Sequence, residues 1–297
     1  MSNFRKKNSQ SMKKLLSLLL ALILSLFVVS CKENASENIN HALGKLYIIG
    51  GGKRPPEMIE QLVALSGVNE GKYIVVLPFA SEDVDTAAYY AMRQFKNVGV
   101  KNITWFDFRK GEPMAQQKID SIVNAGMIYI SGGDQNRFMD IAQGTPLFDA
   151  LHAAYQKGAV IAGTSAGAAV QSKKMITGNQ LINPNMEGYR TIQPKNIEIT
   201  EGLGLLETAI IDQHFIWRSR MNRLISVAIE NPNELAIGID ESTAILVEGD
   251  SATVFGVSQV LVLNAMYASI SQTDSLLGAQ NIRMDVFLPG QKFCVIP

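Results

Sequence analysis

The stretch AVIAGTSAGAAV, residues 159–170, joins a short apolar run to a Gly-Thr-Ser-Ala-Gly corner and an alanine-rich continuation. The apolar run predicts a buried strand, and the alanines predict that a helix follows it. Small residues on both sides of Ser165 suit a tight turn, because neighbouring elements can then approach closely. The stretch therefore predicts a nucleophile elbow with Ser165 at its corner; a plain turn with a serine N-cap is the alternative.

Working outward, short apolar runs alternate with helix-length amphipathic stretches. Strands are predicted at five places, 46–50, 73–79, 102–108, 127–133 and 159–163. Helices are predicted between them, at 56–66, 84–97, 113–124 and within 135–157. This alternation predicts an α/β fold, a doubly wound, mainly parallel sheet flanked by helices. Closely spaced apolar runs after residue 235 predict hairpins that extend the same sheet in the antiparallel sense.

The N-terminus predicts an export signal. Basic residues between Arg5 and Lys14 precede an apolar run, Leu15 to Val29, and then Ser30-Cys31. This end resembles a lipobox, which predicts lipid attachment at Cys31; a transmembrane anchor is the alternative. We expect a signal peptide at 1–31, a tether at 32–44 and a single α/β domain at 45–297, exported and lipid-anchored to the bacterial cell envelope on its periplasmic or cell-surface side.

Composition excludes several classes of partner. The chain has 27 basic and 27 acidic residues, and five of the basic ones lie in the predicted signal. The remaining chain is therefore acidic, which disfavours a nucleic-acid partner. With Cys31 carrying lipid, Cys294 has no partner for a disulfide. His41 and His152 lack neighbours at ligand spacing, so no metal site is predicted. No cofactor is expected either.

A serine hydroxyl needs a base within hydrogen-bond reach to act as a nucleophile. Of the three histidines, His41 lies in the predicted tether and His152 lies within a helical pattern. His214 instead ends the apolar run ETAIIDQHF, which places it at the carboxyl end of a predicted strand. Chemistry in doubly wound sheets gathers at such strand ends. We therefore predict that His214 is the base for Ser165 and that the two residues meet across the rim of the same sheet.

Five segments together resemble one known family, and they span about 46–256: IIGGGKRP at 48–55, ISGGDQNRF at 130–138, GTSAGAAV at 163–170, DQHFIWRSRMNRL at 212–224 and GIDESTAILV at 238–247. The family is that of the serine peptidases that include cyanophycinase and alpha-aspartyl dipeptidase, on the class I glutamine-amidotransferase-like fold. The resemblance is stronger to the cyanophycinase branch. It implies a homodimer.

The resemblance also implies roles for individual residues. Ser165 matches the nucleophile and His214 the general base, while Gly133 and Ala166 match the two backbone N–H donors of the oxyanion hole. The implied substrate-binding positions are Gln135, Asp212, Arg218, Arg220 and Arg223. In cyanophycinase such positions recognise a beta-linked Asp-Arg unit. Asp240 and Glu241 of the last segment are given no chemistry, since they read as the end of a strand.

The third member of the triad is where this chain departs from the family pattern. A carboxylate normally orients the histidine and stabilises its charged form. The family's acid is expected in the loop after the nucleophile helix, yet the chain has no acid between Ser165 and Glu187, and Gln180 stands about where it should be. Gln180 could orient His214 in a slower enzyme, in which case Gln180→Glu would raise the rate. Alternatively, Glu187 or Glu201 reaches in, or turnover has been lost.

Two functions follow as expectations. The first is a serine peptidase that hydrolyses an aspartyl or isoaspartyl amide bond in small peptides or in a cyanophycin-like Asp-Arg polymer. The second is a catalytically impaired or inactive surface lipoprotein of the same fold that binds peptides. An amidotransferase-type glutaminase fits less well, because that group uses a cysteine nucleophile.

Overall fold

The computed structural model describes residues 43–297. The predicted signal peptide, lipid attachment at Cys31, and the tether as far as residue 42 lie outside the described residues. No helix within 43–297 combines the length and apolarity that crossing a bilayer requires.

The described strands, in chain order, are β1 Lys45–Ile49, β2 Ile74–Leu77, β3 Ile103–Trp105, β4 Met127–Ile130, β5 Val160–Thr164, β6 Lys174–Gln180, β7 Ile197–Glu201, β8 Ala209–Gln213, β9 Leu235–Ile239, β10 Thr243–Glu248, β11 Ser251–Gly256, β12 Val260–Asn264, β13 Ser269–Gln272, β14 Leu277–Gln280, β15 Arg283–Phe287 and β16 Lys292–Cys294. The described α-helices are α1 Pro56–Ser66, α2 Val84–Lys96, α3 Gln116–Val123, α4 Gln135–Ala142, α5 Pro146–Gln156, α6 Ala166–Ala169 and α7 Met221–Glu230.

The main sheet confirms the predicted α/β fold. It has eight strands in the order β16-β11-β10-β1-β5-β4-β2-β3. The five strands predicted from the alternating pattern, β1 to β5, pair in parallel. The 135–157 region holds two helices, because the chain turns at Gly144, which has φ 68°, and a proline then begins α5.

Helices cover both faces of this sheet, and β1 shows how the sequence encodes them. Leu46 and Ile48 point into the core formed with α3, α4 and α5. Tyr47 and Ile49 point into the core formed with α1 and α2. All four side chains are fully buried, which explains why β1 reads as a continuous apolar run rather than an alternating one. Burying each such side chain stabilises the fold by about 1.5–3 kcal/mol.

The C-terminal strands divide between two sheets, which the sequence analysis did not anticipate. β10, β11 and β16 extend the main sheet in the antiparallel sense, as expected. β9, β12 and β15 instead join β8 in a separate four-stranded sheet. β9 pairs in parallel with β8, and helix α7 connects the two strands, so β9 belongs to a strand–helix–strand unit that the sequence analysis did not separate from the later hairpins. The placement of β9 and β12 in the main sheet was therefore wrong.

The chain crosses from the second sheet to the main sheet through residues 240–242. These three residues connect β9 to β10. Ser242 donates its N–H to the carbonyl of Gly51, 2.8 Å away. Gly50, just after β1, receives the N–H of His214 at 2.7 Å, and β8 of the second sheet ends immediately before His214. The carboxyl ends of β1, β8 and β9 therefore meet at one place.

Candidate active site

Ser165 occupies a sharp corner between β5 and α6. Its backbone has φ 55° and ψ −111°, a region that costs a non-glycine residue roughly 1–3 kcal/mol. Its N–H donates to the carbonyl of Ile49 at 3.1 Å. Strained geometry of this kind is typical of a nucleophile elbow and turns the hydroxyl away from the strand.

Two glycines make this corner possible by close approach. A Cβ at Gly163 would lie 2.0 Å from the carbonyl oxygen of Gly167, and a Cβ at Gly167 would lie 2.3 Å from the carbonyl oxygen of Ile130. Both contacts are with backbone, which cannot move aside as a flexible side chain can. The small residues on either side of Ser165 are thus required by packing, as the sequence analysis predicted.

His214 lies on a second strained turn that follows β8. Its φ is 51°, and its carbonyl accepts the N–H of Arg218 at 3.0 Å. The strand end predicted for His214 is present, but it belongs to the second sheet. Ser165 and His214 therefore meet across the junction of two sheets, whereas the sequence analysis placed them at the rim of a single sheet.

The structure brings the two residues into direct contact. His214 Nε2 lies 2.8 Å from Ser165 Oγ, within normal hydrogen-bond distance. His214 is 7% exposed, so little water competes for this contact. The imidazole is placed to accept the proton of the serine hydroxyl.

Glu241 contacts the other nitrogen of the imidazole. Its Oε1 lies 2.6 Å from His214 Nδ1, so a proton on Nδ1 would leave Nε2 free to accept from Ser165. Glu241 belongs to the crossover between β9 and β10, which explains how one residue reaches an imidazole on the second sheet. A continuous hydrogen-bonded chain therefore links Ser165, His214 and Glu241.

The sequence analysis considered other residues for this position. Gln180 is buried and its amide donates to the carbonyls of Met186 and Gly188, both at 2.9 Å. Its oxygen accepts from Asn196 at 3.2 Å. Gln180 thus holds the loop between β6 and β7, and placing it on His214 was wrong.

The two alternative acids also lie elsewhere. Glu187 is exposed in the same loop. Glu201 accepts a hydrogen bond from Gln143 at 2.8 Å. The signal that could have identified Glu241 was available in the sequence: an acid two residues after the apolar strand LAIGI, in a segment that already carried the family resemblance. Only the pairing of β9 with β8 shows that this strand end faces His214.

The glycine run after β1 leaves room for the histidine and the glutamate. A Cβ at Gly51 would lie 2.2 Å from His214 Cε1, and a Cβ at Gly52 would lie 2.9 Å from Glu241 Oε2. Both glycines also have positive φ, 112° and 70°. Any side chain at Gly51 would displace the imidazole, so the absence of side chains in this loop is what leaves room for His214.

The predicted oxyanion loop lies beside the serine. A Cβ at Gly132 would be 3.9 Å from Ser165 Oγ, so the Gly132-Gly133 turn passes close to the hydroxyl. Gly133 has φ 145°, and a Cβ there would lie 2.2 Å from the carbonyl oxygen of Ala80. Ala166 begins α6, where the first N–H groups of a helix have no partner within the helix. α6 has only four residues, so backbone N–H groups rather than a long helix dipole would act on an oxyanion.

Burial sets the protonation of the base. It lowers the pKa of His214 below the ordinary value of 6.5, and the positive charges of Arg218 and Arg220 act in the same direction. The hydrogen bond that His214 donates to Glu241 raises the pKa and offsets part of this effect. His214 is therefore neutral near pH 7, the form that can accept a proton.

Two of the residues predicted to contact substrate bind each other inside the protein. Arg223 is 2% exposed and Asp212 is 1% exposed. The Arg223 guanidinium makes a bidentate ion pair with the Asp212 carboxylate and also donates to the Tyr189 hydroxyl at 2.6 Å. Removing one partner of such a pair leaves a buried charge uncompensated. The structure therefore gives Asp212 and Arg223 a structural role.

Arg220 and Arg218 differ in exposure. Arg220 donates to the backbone and side-chain oxygens of Gln213. Burial lowers the pKa of Arg220 to about 10, which still leaves it charged at neutral pH. Arg218 is exposed, on the same turn as His214. Of the three predicted arginines, Arg218 is the one whose side chain faces solvent beside the site.

Gln135 is also buried, with 7% exposure. Its amide nitrogen donates to the carbonyls of Ile176 and Thr177 in β6. Gln135 thus links the start of α4 to β6, and its amide nitrogen is not free for a substrate. Within residues 43–297, no cluster of His, Cys, Asp and Glu side chains could hold a metal ion.

The fold and the site define an α/β protein with a serine at a strained elbow and a His-Glu pair beside it. Residues 46–255 match the model of peptidase family S51, and the chain belongs to that family. It is similar to a cyanophycinase of Nostoc sp., with 28% identity over 83% of this chain and 84% of the relative. It is also similar to a peptidase E of Actinobacillus pleuropneumoniae, with 25% identity over 65% of this chain and 78% of the relative.

A solved structure shares the fold. A peptidase from an acI-B1 Actinobacterium superposes with a TM-score of 0.63 at 20% identity, covering 86% of this chain and 98% of that one. The resemblance to the family of cyanophycinase and alpha-aspartyl dipeptidase, which was inferred from five motifs, is thus confirmed.

Proposed function

We propose that the protein is a serine peptidase that hydrolyses an aspartyl or isoaspartyl amide bond in small peptides or in a cyanophycin-like Asp-Arg polymer. The observation that carries the proposal is the hydrogen-bonded chain from Ser165 Oγ through His214 to Glu241, with distances of 2.8 Å and 2.6 Å. A serine, a histidine and a carboxylate in this order form the arrangement that activates a hydroxyl for acyl transfer.

In this mechanism Ser165 Oγ attacks the amide carbonyl while His214 Nε2 takes its proton. Glu241 holds Nδ1 protonated and stabilises the imidazolium that forms. The N–H groups of Gly133 and Ala166 stabilise the oxyanion. His214 then gives the proton to the leaving amine, and an ester on Ser165 remains. A water molecule, activated by His214, hydrolyses that ester and restores the free serine.

The substrate class is supported by two observations. The relatives that match most of the chain include proteins named cyanophycinase and proteins named peptidase E. Arg218 presents an exposed guanidinium on the turn that carries His214, and a guanidinium binds carboxylates with two parallel hydrogen bonds. A free carboxylate beside the scissile bond, as in an isoaspartyl unit, is a suitable partner.

Hydrolysis and covalent labelling test this proposal together. The purified protein should release amino acids from beta-Asp-Arg dipeptide, from Asp-Arg polymer or from alpha-aspartyl dipeptides, and a fluorophosphonate should label Ser165. Ser165→Ala should abolish both, while Ser275→Ala, which removes an exposed hydroxyl, should change neither. Hydrolysis that persists unchanged in Ser165→Ala would overturn the assignment.

The alternative function is an inactive surface lipoprotein that binds peptides. Its motivation was the missing acid before Glu187, and the contact between Glu241 and His214 removes that motivation. Retained binding of Asp-Arg peptides, with neither hydrolysis nor labelling of Ser165, would favour this alternative.

We further propose that the protein is exported and anchored by a lipid on Cys31. The support is the order of basic residues, apolar run and Ser30-Cys31 at the N-terminus. Labelled palmitate should be incorporated into the expressed chain and should be lost in Cys31→Ser, with the protein then released from the membrane fraction. Equal membrane association of the two forms would contradict this proposal.

A further inference from the structure

Asp240 is the buried acid next to Glu241, and the reaction described above does not use it. It is 8% exposed. Its Oδ1 accepts the backbone N–H of Trp217 at 2.9 Å. Its Oδ2 accepts the hydroxyl of Ser258 at 2.7 Å. A carboxylate whose two oxygens reach separate segments of the chain joins those segments together.

Trp217 belongs to the turn that carries His214. Three backbone hydrogen bonds close this turn: Arg218 to His214, Ser219 to Ile216 and Arg220 to Phe215, each at 3.0 Å. His214 and Ser219 both have φ 51°, so the turn contains two strained residues. Strain persists only where the surroundings hold the backbone in place, and the hydrogen bond that the Trp217 N–H donates to Asp240 is a contact of that kind.

The site has a specific need for such a contact. Ser165 follows a strand of the main sheet, while His214 follows a strand of the second sheet. A small shift between the two sheets would lengthen the 2.8 Å contact between Oγ and Nε2. A displacement of about 1 Å in a catalytic group can cost about 100-fold in rate.

We propose that Asp240 is a positioning residue, which fixes the His214 turn relative to Ser165 through the backbone of Trp217. The inference depends on the proposed function, since it assigns Asp240 to the same site. Consecutive residues of one crossover then hold the turn at two points: Glu241 holds the imidazole and Asp240 holds the backbone.

Ser258 completes the arrangement from the main sheet. It lies in the segment between β11 and β12, and its own N–H donates to Thr243 Oγ1 at 2.9 Å. Thr243 begins β10. The path from Thr243 through Ser258 and Asp240 to Trp217 therefore connects the main sheet to the histidine turn by three hydrogen bonds, each of which involves a side chain. It runs in parallel with the backbone bond between Gly50 and His214.

The test compares variants that keep or remove the acceptor. In Asp240→Asn the amide oxygen still accepts from Trp217 and the amide nitrogen can donate to the Ser258 hydroxyl, so the fluorophosphonate labelling rate should stay within about threefold of the parent. Asp240→Ala removes both bonds, and the rate should fall about 10-fold to 100-fold. Ser258→Ala should fall in between. Asp250→Ala, which removes an exposed carboxylate, is the control.

The pH dependence separates positioning from a general loss of folding. Burial lowers the pKa of His214, and a loosened turn admits water to the imidazole. The acid limb of the labelling rate should therefore move to higher pH in Asp240→Ala and return in Asp240→Asn. Simple destabilisation would reduce the fraction of protein that reacts without moving this limb.

Titration of the His214 imidazole by NMR measures the same shift without any reaction. This measurement separates the inference from the proposed function. A parent protein that is never labelled contradicts the peptidase assignment, whereas the change in the His214 pKa still tests the positioning role of Asp240. An Asp240→Ala variant with the parent's His214 titration would overturn the inference, as would one that is labelled at the parent's rate and with the parent's pH limb.

Discussion

The serine corner and the histidine turn perform paired tasks but are held in place differently. Ser165 is fixed by packing, because backbone atoms approach Gly163 and Gly167 more closely than any side chain at these positions would allow. His214 is fixed by hydrogen bonds that its turn donates to other segments: the His214 N–H to Gly50, the imidazole to Glu241 and the Trp217 N–H to Asp240. Substitutions at the serine corner should therefore mainly lower the free energy of unfolding, whereas substitutions around the histidine turn should mainly lower the catalytic rate.

The largest effect is expected at the serine corner. In Gly163→Val the side chain would collide with the carbonyl oxygen of Gly167, which a Cβ would meet at 2.0 Å. We expect a loss of about 3 kcal/mol or more in the free energy of unfolding, measured by urea denaturation. Gly111→Ala is the control: a Cβ there meets nothing within 4 Å, so this variant loses only the roughly 1–2 kcal/mol that a side chain costs at its positive φ of 77°. A Gly163→Val protein as stable as this control would refute the packing account of the corner.

A smaller loss of stability but a clear loss of activity is expected at Gly51. A Cβ there would lie 2.2 Å from His214 Cε1, so Gly51→Ala should push the imidazole away from Ser165. We expect kcat/KM for hydrolysis to fall about 100-fold, with KM changing less than kcat. Parent-like kinetics would show that the imidazole is not confined by this loop.

Gln180→Glu distinguishes the structure from the expectation formed on the sequence. The Gln180 amide nitrogen donates to two carbonyls, so a carboxylate there would face two acceptors. We expect a loss of about 1–3 kcal/mol in stability and no gain in rate, measured by thermal unfolding and by hydrolysis. A faster enzyme would instead place residue 180 on His214.

The mildest expected effect is the pH profile of the unmodified protein. Because burial lowers the pKa of His214, the base stays neutral below pH 6.5 and is lost only as the pH falls through this lowered value. The acid limb of kcat/KM should therefore have its midpoint below 6.5. A midpoint above 6.5 would contradict this prediction, because it would mean that Glu241 stabilises the charged imidazole by more than burial destabilises it.

The same contrast explains what the sequence could predict. The serine corner is local: a strand, small residues and a helix follow one another, so the elbow and the five parallel strands were predictable from pattern alone. The partner of His214 Nδ1 depends on which strands pair: β9 lies beside β8 in the second sheet, whereas the sequence analysis placed β9 in the main sheet. The buried pair of Asp212 and Arg223 could not be predicted either, because charged residues usually lie at the surface and the sequence does not show that these two face inward.

The central claim is that Glu241, and no other acid, orients His214 toward Ser165. The most direct measurement is the rate at which a fluorophosphonate labels Ser165 in Glu241→Gln, compared with Glu187→Gln and Glu201→Gln. The account predicts a fall of about 1,000-fold in Glu241→Gln, because the wrong tautomer is then favoured, and parent-like rates in the other two. Parent-like labelling in Glu241→Gln, or a comparable fall in either of the others, would contradict it.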